Sequence, residues 1–219
     1  MKQILVLGGN GRTGKLVVDY ALEKGYKVVA LVRNLSKVVN AGENVTYVEG
    51  TPYQLEDVKN AIKGCDAVIS TLNNSRKSDW PWSEPDGPFN ILERSMLNVS
   101  KAMQEEGIDR IVYMSALGVR DSEQYMPVMF KTIVKYSSIK IVYDDHSHAE
   151  SVLEGADLNW TFIRPVGLTN GTKPNPVAII SKGKPEHTTV RRIAVAKFMV
   201  EALDKDKYYR KALMMADKK

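Results

Sequence analysis

Ile4-Leu5-Val6-Leu7-Gly8-Gly9-Asn10-Gly11-Arg12-Thr13-Gly14 decides the fold. A short unbroken apolar run that stops at glycine fits a strand buried on both faces of a parallel sheet. The helical pattern of Leu16 to Leu22 follows directly. Gly8, Gly11 and Gly14 therefore occupy a strand–turn–helix junction with G-x-x-G-x-x-G spacing. One such glycine lets the chain turn sharply out of the strand. Another lets backbone N–H groups approach a pyrophosphate, and the last lets helix and strand pack closely. The free N–H groups and dipole of the helix N-terminus favour the same anion. Gly9 to Lys15 also matches the start of a P-loop, but Leu16 stands where a nucleotidase needs Ser or Thr for magnesium.

Outward from this turn the chain alternates. Strand patterns lie at 27–32, 45–48, 67–69, 110–114, 160–163 and 212–215. Helical patterns lie at 55–62, 89–106, 143–153 and 191–203. Repeated alternation of this kind predicts one α/β domain over residues 1–219, a doubly wound Rossmann-type parallel sheet. Two Pro-rich segments, 73–88 and 167–190, break the rhythm after strand carboxyl ends, where ligands sit in open α/β sheets. They are expected to be substrate-side loops. The second is read as irregular from Gly167 to Pro185.

Composition bounds the rest. The chain has 219 residues, is 43% hydrophobic and 26% charged, and carries a net charge of +5, which excludes disordered and low-complexity classes. Its one cysteine, Cys65, makes no internal disulfide and excludes a Cys-rich zinc site, so a reducing cytoplasm fits. The apolar run at Ile4 to Leu7 is too short for a signal peptide, and no membrane-length run exists. The basic charges are scattered, which argues for solubility or a small anionic ligand and against a nucleic-acid surface.

The second strand ends Leu31-Val32-Arg33-Asn34. Binders of NAD tend to place an acid there, about 20 residues beyond the glycines, against the ribose 2′-hydroxyl. Arg33 instead suits a 2′-phosphate through paired hydrogen bonds, with Arg12 and Lys37 able to join it. The expected cofactor is NADP(H), as NADPH.

Together with these residues, Tyr113-Met114-Ser115-Ala116-Leu117-Gly118, Asp144-Asp145-His146 with His148-Ala149-Glu150, and Trp160-Thr161-Phe162-Ile163-Arg164-Pro165 resemble the atypical short-chain dehydrogenases/reductases. The nearer likeness is to the NAD(P)H-binding, NmrA-like group that includes flavin reductase/biliverdin reductase B. The resemblance spans about residues 1–215. It implies NADPH and hydride transfer to a flavin, quinone or tetrapyrrole, although some members only sense the dinucleotide. It also implies that Ser115, at the end of the fifth strand, holds substrate beside the nicotinamide. Biliverdin-type members carry a histidine just past the proline after strand six. Here Val166 follows Pro165, which counts against biliverdin.

Many members also use Tyr-x-x-x-Lys, in which the lysine lowers the tyrosine pKa. Tyr136 and Lys140 have that spacing, but alignment on Ala149-Glu150 puts Val142 and His146 at those positions, with Tyr143 offset by one. Ser115, Tyr143, Tyr136 and Lys140 are thus the catalytic candidates. Gly8, Asn10, Gly11, Arg12, Thr13, Gly14, Arg33, Asn73, Ser115 and Pro165 are the cofactor candidates. Asn73 and Asn74 would line the ribose or simply begin a polar loop, and Trp80 and Trp82 would stack on a flat acceptor, close over the nicotinamide or anchor their loop to the core.

No metal site is expected. His146 and His148 stand two residues apart, so they do not share a helix face. Asp144 and Asp145 read as acids at a helix N-terminus. His187 reads as a surface or loop residue, and Met96 and Met103 as packing residues. The favoured expectation is an NADPH-dependent reductase of a flavin, quinone or similar flat acceptor, with the oligomeric state open. The alternatives are a non-catalytic NADP(H)-sensing protein and a sugar-nucleotide epimerase or dehydratase. The short stretch after Pro165 leaves the last little room for its pocket.

Overall fold

In β1 (Gln3–Leu7), Ile4 and Val6 join one apolar cluster and Leu5 and Leu7 the other, with none of the four more than 1% exposed. Successive strand side chains point to opposite faces, so an unbroken apolar run is what a doubly covered strand requires. The computed structural model describes residues 1–38, 42–78 and 80–218, with the side chain of Lys37 also outside that set.

The chain continues as α1 (Gly14–Glu23), β2 (Lys27–Val32), β3 (Val45–Glu49), α2 (Leu55–Ile62), β4 (Ala67–Ser70), α3 (Ile91–Glu106) and β5 (Arg110–Met114). Then come α4 (Val128–Lys135), α5 (Ile139–Gly155), β6 (Asn159–Pro165), β7 (Gly167–Thr169), β8 (Val177–Ile180), β9 (Thr189–Arg191), α6 (Arg192–Ala202) and β10 (Lys211–Asp217). The main sheet has the order β3-β2-β1-β4-β5-β6-β10-β8. Its pairs are parallel except β8 against β10. Residues of α1 and α6 pack in the first apolar cluster, and those of α2, α3 and α5 in the second, so helices cover both faces. This is the doubly wound Rossmann-type domain expected from the alternation.

Three readings need correction. The stretch Gly167 to Pro185 is not irregular throughout: it holds β7, which pairs with β9, and β8, which extends the main sheet. Both are short, and their pairing depends on partners distant in sequence. Helix α4 escaped notice because it buries no residue and so lacks a core-facing stripe. Helix α5 begins at Ile139 rather than near Tyr143, so Asp144 and Asp145 do not stand at its N-terminus.

Those two acids work elsewhere. Asp144 pairs with Lys140 one turn back at 2.5 Å. Asp145, 2% exposed, accepts hydrogen bonds from the backbone N–H of Leu92 and Glu93 and from the Asn74 amide, each at 3.0 Å. It therefore caps α3 from a different helix, satisfying N–H groups that lack partners within α3. Farther along, Glu150 holds Arg164 of β6 through bonds of 3.0 and 2.6 Å, and Asp121 takes the same guanidinium at 2.7 Å. At the other end of the sheet, Arg110 donates to the carbonyls of Ala202 and Leu203, closing the C-terminus of α6 with a cation. Met96 and Met103 are fully buried, as packing residues should be. Cys65 is buried, and burial pushes its thiol up to about 11.

Candidate functional site

The register of the parallel strands brings the sequence motifs to one edge. Leu7 pairs with Leu31 on one side and Ser70 on the other, so the glycine turn, Arg33 and the segment after Ser70 emerge side by side. Gly8 has φ +79°, and a Cβ on it would meet Thr71 Oγ1 at 2.9 Å. A Cβ on Gly14 would lie 2.0 Å from the Gly8 carbonyl oxygen, so only hydrogen fits there. The Gly11 N–H closes the turn on the Gly8 carbonyl at 2.8 Å. Thr71 Oγ1 also reaches the carbonyls of Leu7 (3.1 Å) and Gly8 (3.3 Å), fastening the turn to β4.

Asn10 donates to the Asn34 carbonyl at 3.5 Å and so ties the turn to the segment after β2. Thr13 is buried at the start of α1, where its carbonyl accepts from Val17 N–H. Arg33, just after β2, is exposed beside them.

Beyond the turn the same edge opens into a cleft of about 1070 Å³. Its floor is formed by the ends of β5 and β6, with Ser115 and Pro165. Its walls are formed by α4 and α5, by part of the 73–88 segment, and by the 165–192 region. Arg12 and Asn73 connect it to the dinucleotide side. Ser115 is 4% exposed; its N–H donates to the Ile163 carbonyl at 2.7 Å, but its Oγ has no hydrogen-bond partner among the described residues. A hydroxyl held against the sheet end by its own backbone, and left unsatisfied, is available to a ligand.

On α5, Tyr143 and His146 stand at i and i+3 and both face the cleft. Burial pushes the Tyr143 phenol up to about 12. Burial pushes His146 down to about 4, so its ring is neutral at ordinary pH. His146 Nδ1 lies 2.7 Å from the hydroxyl of fully buried Tyr113, and its Nε2 lies 3.3 Å from Asn73 Oδ1. With the amide oxygen accepting, Nε2 carries the ring proton and Nδ1 accepts from Tyr113. The hydroxyl fixes the tautomer, and Asn73 is left with its NH₂ group for the cleft. Tyr113 is pushed well above its usual range, chiefly by burial, and donates throughout.

The structure does not bring Tyr136 and Lys140 together as a catalytic pair. Tyr136 follows α4 and is 66% exposed, while Lys140 lies in the first turn of α5 and is bound to Asp144. Neither lines the cleft. Both nitrogens of His146 are engaged, and exposed His148 lies 3.9 Å from Glu93. Trp80 and Trp82 are 65% and 52% exposed and tilted against each other at 5.4 Å, so they do not anchor their loop in the core. Trp82 instead donates to the Tyr136 carbonyl at 3.0 Å, bridging this loop to the end of α4.

Sequence reading missed the Tyr113–His146–Asn73 chain. The signal was present, since alignment put His146 at the lysine position, but the partner lies across β5. His187, read as a surface or loop residue, lies in the loop before β9 and lines the cleft, with Nε2 buried and unpartnered among the described residues.

Among the described residues no helix is long and apolar enough to cross a membrane. A family described as NAD(P)H-binding matches residues 8–206. The chain is 27% identical over 215 residues to an oxidoreductase of Pestalotiopsis microspora, covering 93% of this chain and 80% of that protein. It is 25% identical over 211 residues to a protein of Bacillus subtilis (strain 168) named an uncharacterized sugar epimerase, covering 92% of this chain and 88% of the other. A short-chain dehydrogenase/reductase of Veillonella parvula, crystallised in complex with NADP, shares the fold with a TM-score of 0.80 at 20% identity, covering 99% of this chain and 94% of the other. The match runs from the glycine turn almost to β10 and takes in the whole cleft, and on that ground the chain belongs to the NAD(P)H-binding family.

Proposed function

We propose that the protein is an NADPH-dependent reductase of a flavin, a quinone or a similar flat acceptor. The observation that carries the reading is the unsatisfied Ser115 Oγ in a cleft that Tyr143, its phenol raised by burial, also lines and that reaches Arg12 of the glycine turn. The cofactor supplies a hydride. The residues fit it: the turn has no room for a Cβ at Gly14, the start of α1 would offer amides to a pyrophosphate, and Arg33 would suit the 2′-phosphate. Asn10, Arg12 and Thr13 complete the turn, and Asn73 and Pro165, which line the cleft, would flank the nicotinamide.

Ser115 orients the acceptor, and Tyr143 or solvent gives the one proton that balances the hydride. The segments 73–88 and 167–190 form the acceptor side of the site. Hydride transfer then depends chiefly on proximity and orientation, which can supply up to about 7–11 kcal/mol of barrier reduction.

One observation favours a second reading, an NADP(H)-sensing protein without turnover. Among the described residues burial alone shifts Tyr143 and no cation lowers it, and His146 is neutral, so nothing there pulls the phenol toward phenolate. The same fact weighs against epimerisation, since oxidising a sugar hydroxyl needs a base and a phenol held near 12 is a poor one.

NADPH oxidation against a panel of flavins, quinones and aldehydes separates these readings. Turnover with flat acceptors and none with aldehydes is the expected result. Tight NADPH binding with no turnover on any acceptor would overturn the reductase in favour of the sensor.

A further inference from the structure

The cleft has two unlike walls. On one, Met129 and Phe130 of α4 present apolar side chains, 77% and 38% exposed. The opposite wall is basic. Strand β7 pairs with β9 so that Thr169 meets Arg191, and the next residues, Asn170 and Arg192, are joined by a 2.8 Å hydrogen bond. The Gly167 N–H donates to the Thr188 carbonyl at 3.0 Å, and a Cβ at Gly167 would meet that oxygen at 2.9 Å. The segment before β9 is thereby pressed across β7, which brings Lys184 and His187 to the cleft beside Arg192. Arg76 joins them from the 73–88 loop. Among the described residues the lining contains no Asp or Glu.

The dinucleotide does not account for these cations. Its phosphates are met at the glycine turn and Arg33, at the far end of the edge. The buried Nε2 of His187 adds a polar group with no hydrogen-bond partner among the described residues. We propose that Lys184, Arg192 and His187 form a subsite for a negatively charged substituent of the acceptor, whose flat apolar body lies along Met129 and Phe130. The acceptor class is thus a ring system bearing a phosphate, sulfonate or carboxylate. This rests on the reductase reading, which it narrows.

The test compares acceptors with and without an anionic substituent, FMN against riboflavin and 1,2-naphthoquinone-4-sulfonate against 1,2-naphthoquinone, with the salt dependence and the Lys184 variants isolating the contribution of charge. In the native protein kcat/KM is expected to favour the anionic member of each pair by about tenfold, the scale of one charge-assisted hydrogen bond. That preference should shrink with added salt. In Lys184→Gln and Lys184→Gln/Arg192→Gln it should fall toward unity, whereas Lys184→Arg keeps most of it. Equal kcat/KM within both pairs, or a preference untouched by the substitutions, overturns the subsite.

Should no acceptor be turned over, the reductase reading fails separately. The subsite is then decided by flavin fluorescence quenching on protein saturated with NADP⁺. Tighter binding of FMN than riboflavin, lost in Lys184→Gln, upholds it; equal or absent binding overturns it.

Discussion

Tyr143 and His146 share one face of α5, yet burial moves them in opposite directions, and both shifts favour the uncharged form. A phenol held near 12 keeps its proton across the working range, so in the proposed reductase it would act as a donor. Tyr143→Phe is expected to lower kcat for quinones by about 10²-fold, the ordinary scale for a positioned general acid, while flavins, which can take the proton from solvent, lose far less. Stopped-flow single turnovers with both acceptors read the difference. His146 contributes to stability. Its folded pKa of about 4 lies below the unfolded value, so between these two values the unfolded chain binds the extra proton. That part of the stability is present above the unfolded pKa and is lost as pH falls toward 4. Urea midpoints measured from pH 7 to pH 4.5 should fall more steeply for the native protein than for His146→Gln.

The element that organises the site is α5, because it is fixed at three places along its length. Asp145 caps α3, His146 meets Tyr113 of β5, and Glu150 grips Arg164 of β6. Local sequence reading assigned Asp145 to the start of its own helix, since an acid pair before an apolar-periodic stretch is the usual N-terminal signal. The actual partner is the start of a helix more than fifty residues away, and no local pattern reports that. Asp145→Ala leaves buried N–H groups of α3 unsatisfied and is expected to cost about 2 kcal/mol in urea denaturation. Because Asn74 donates to the same carboxylate and Asn73 is its neighbour, that variant should also weaken NADPH binding. Asp144→Ala removes only an exposed ion pair and should change stability little, which the same denaturation series checks.

At the scale of the whole molecule, a dinucleotide held by the glycine turn, Arg33 and the cleft would bridge β1, β2 and the cleft, so its binding should stabilise the entire domain. A ligand at about a hundred times its Kd adds about 2.7 kcal/mol, which a thermal melt resolves easily. NADPH is expected to raise Tm more than NADH does. In Arg33→Asp the NADPH shift should collapse while the NADH shift survives. Equal shifts from the two coenzymes in the native protein would remove the 2′-phosphate reading of Arg33.

The sequence by itself determined the wound sheet, the glycine turn and the family. Each is written in contiguous residues: apolar runs buried on both faces, glycines at fixed offsets where no Cβ fits, and a basic residue in place of an acid after β2. Only the tertiary structure decided which polar side chains meet. It removed Tyr136 and Lys140 from the cleft, tied His146 to Tyr113 and Asn73, gave Asp145 to α3, and folded β7 and β9 together so that Lys184, His187 and Arg192 share a wall. Backbone structure follows local periodicity, whereas a buried polar contact is chosen by strand register and helix position, and those are set by residues far apart in the chain.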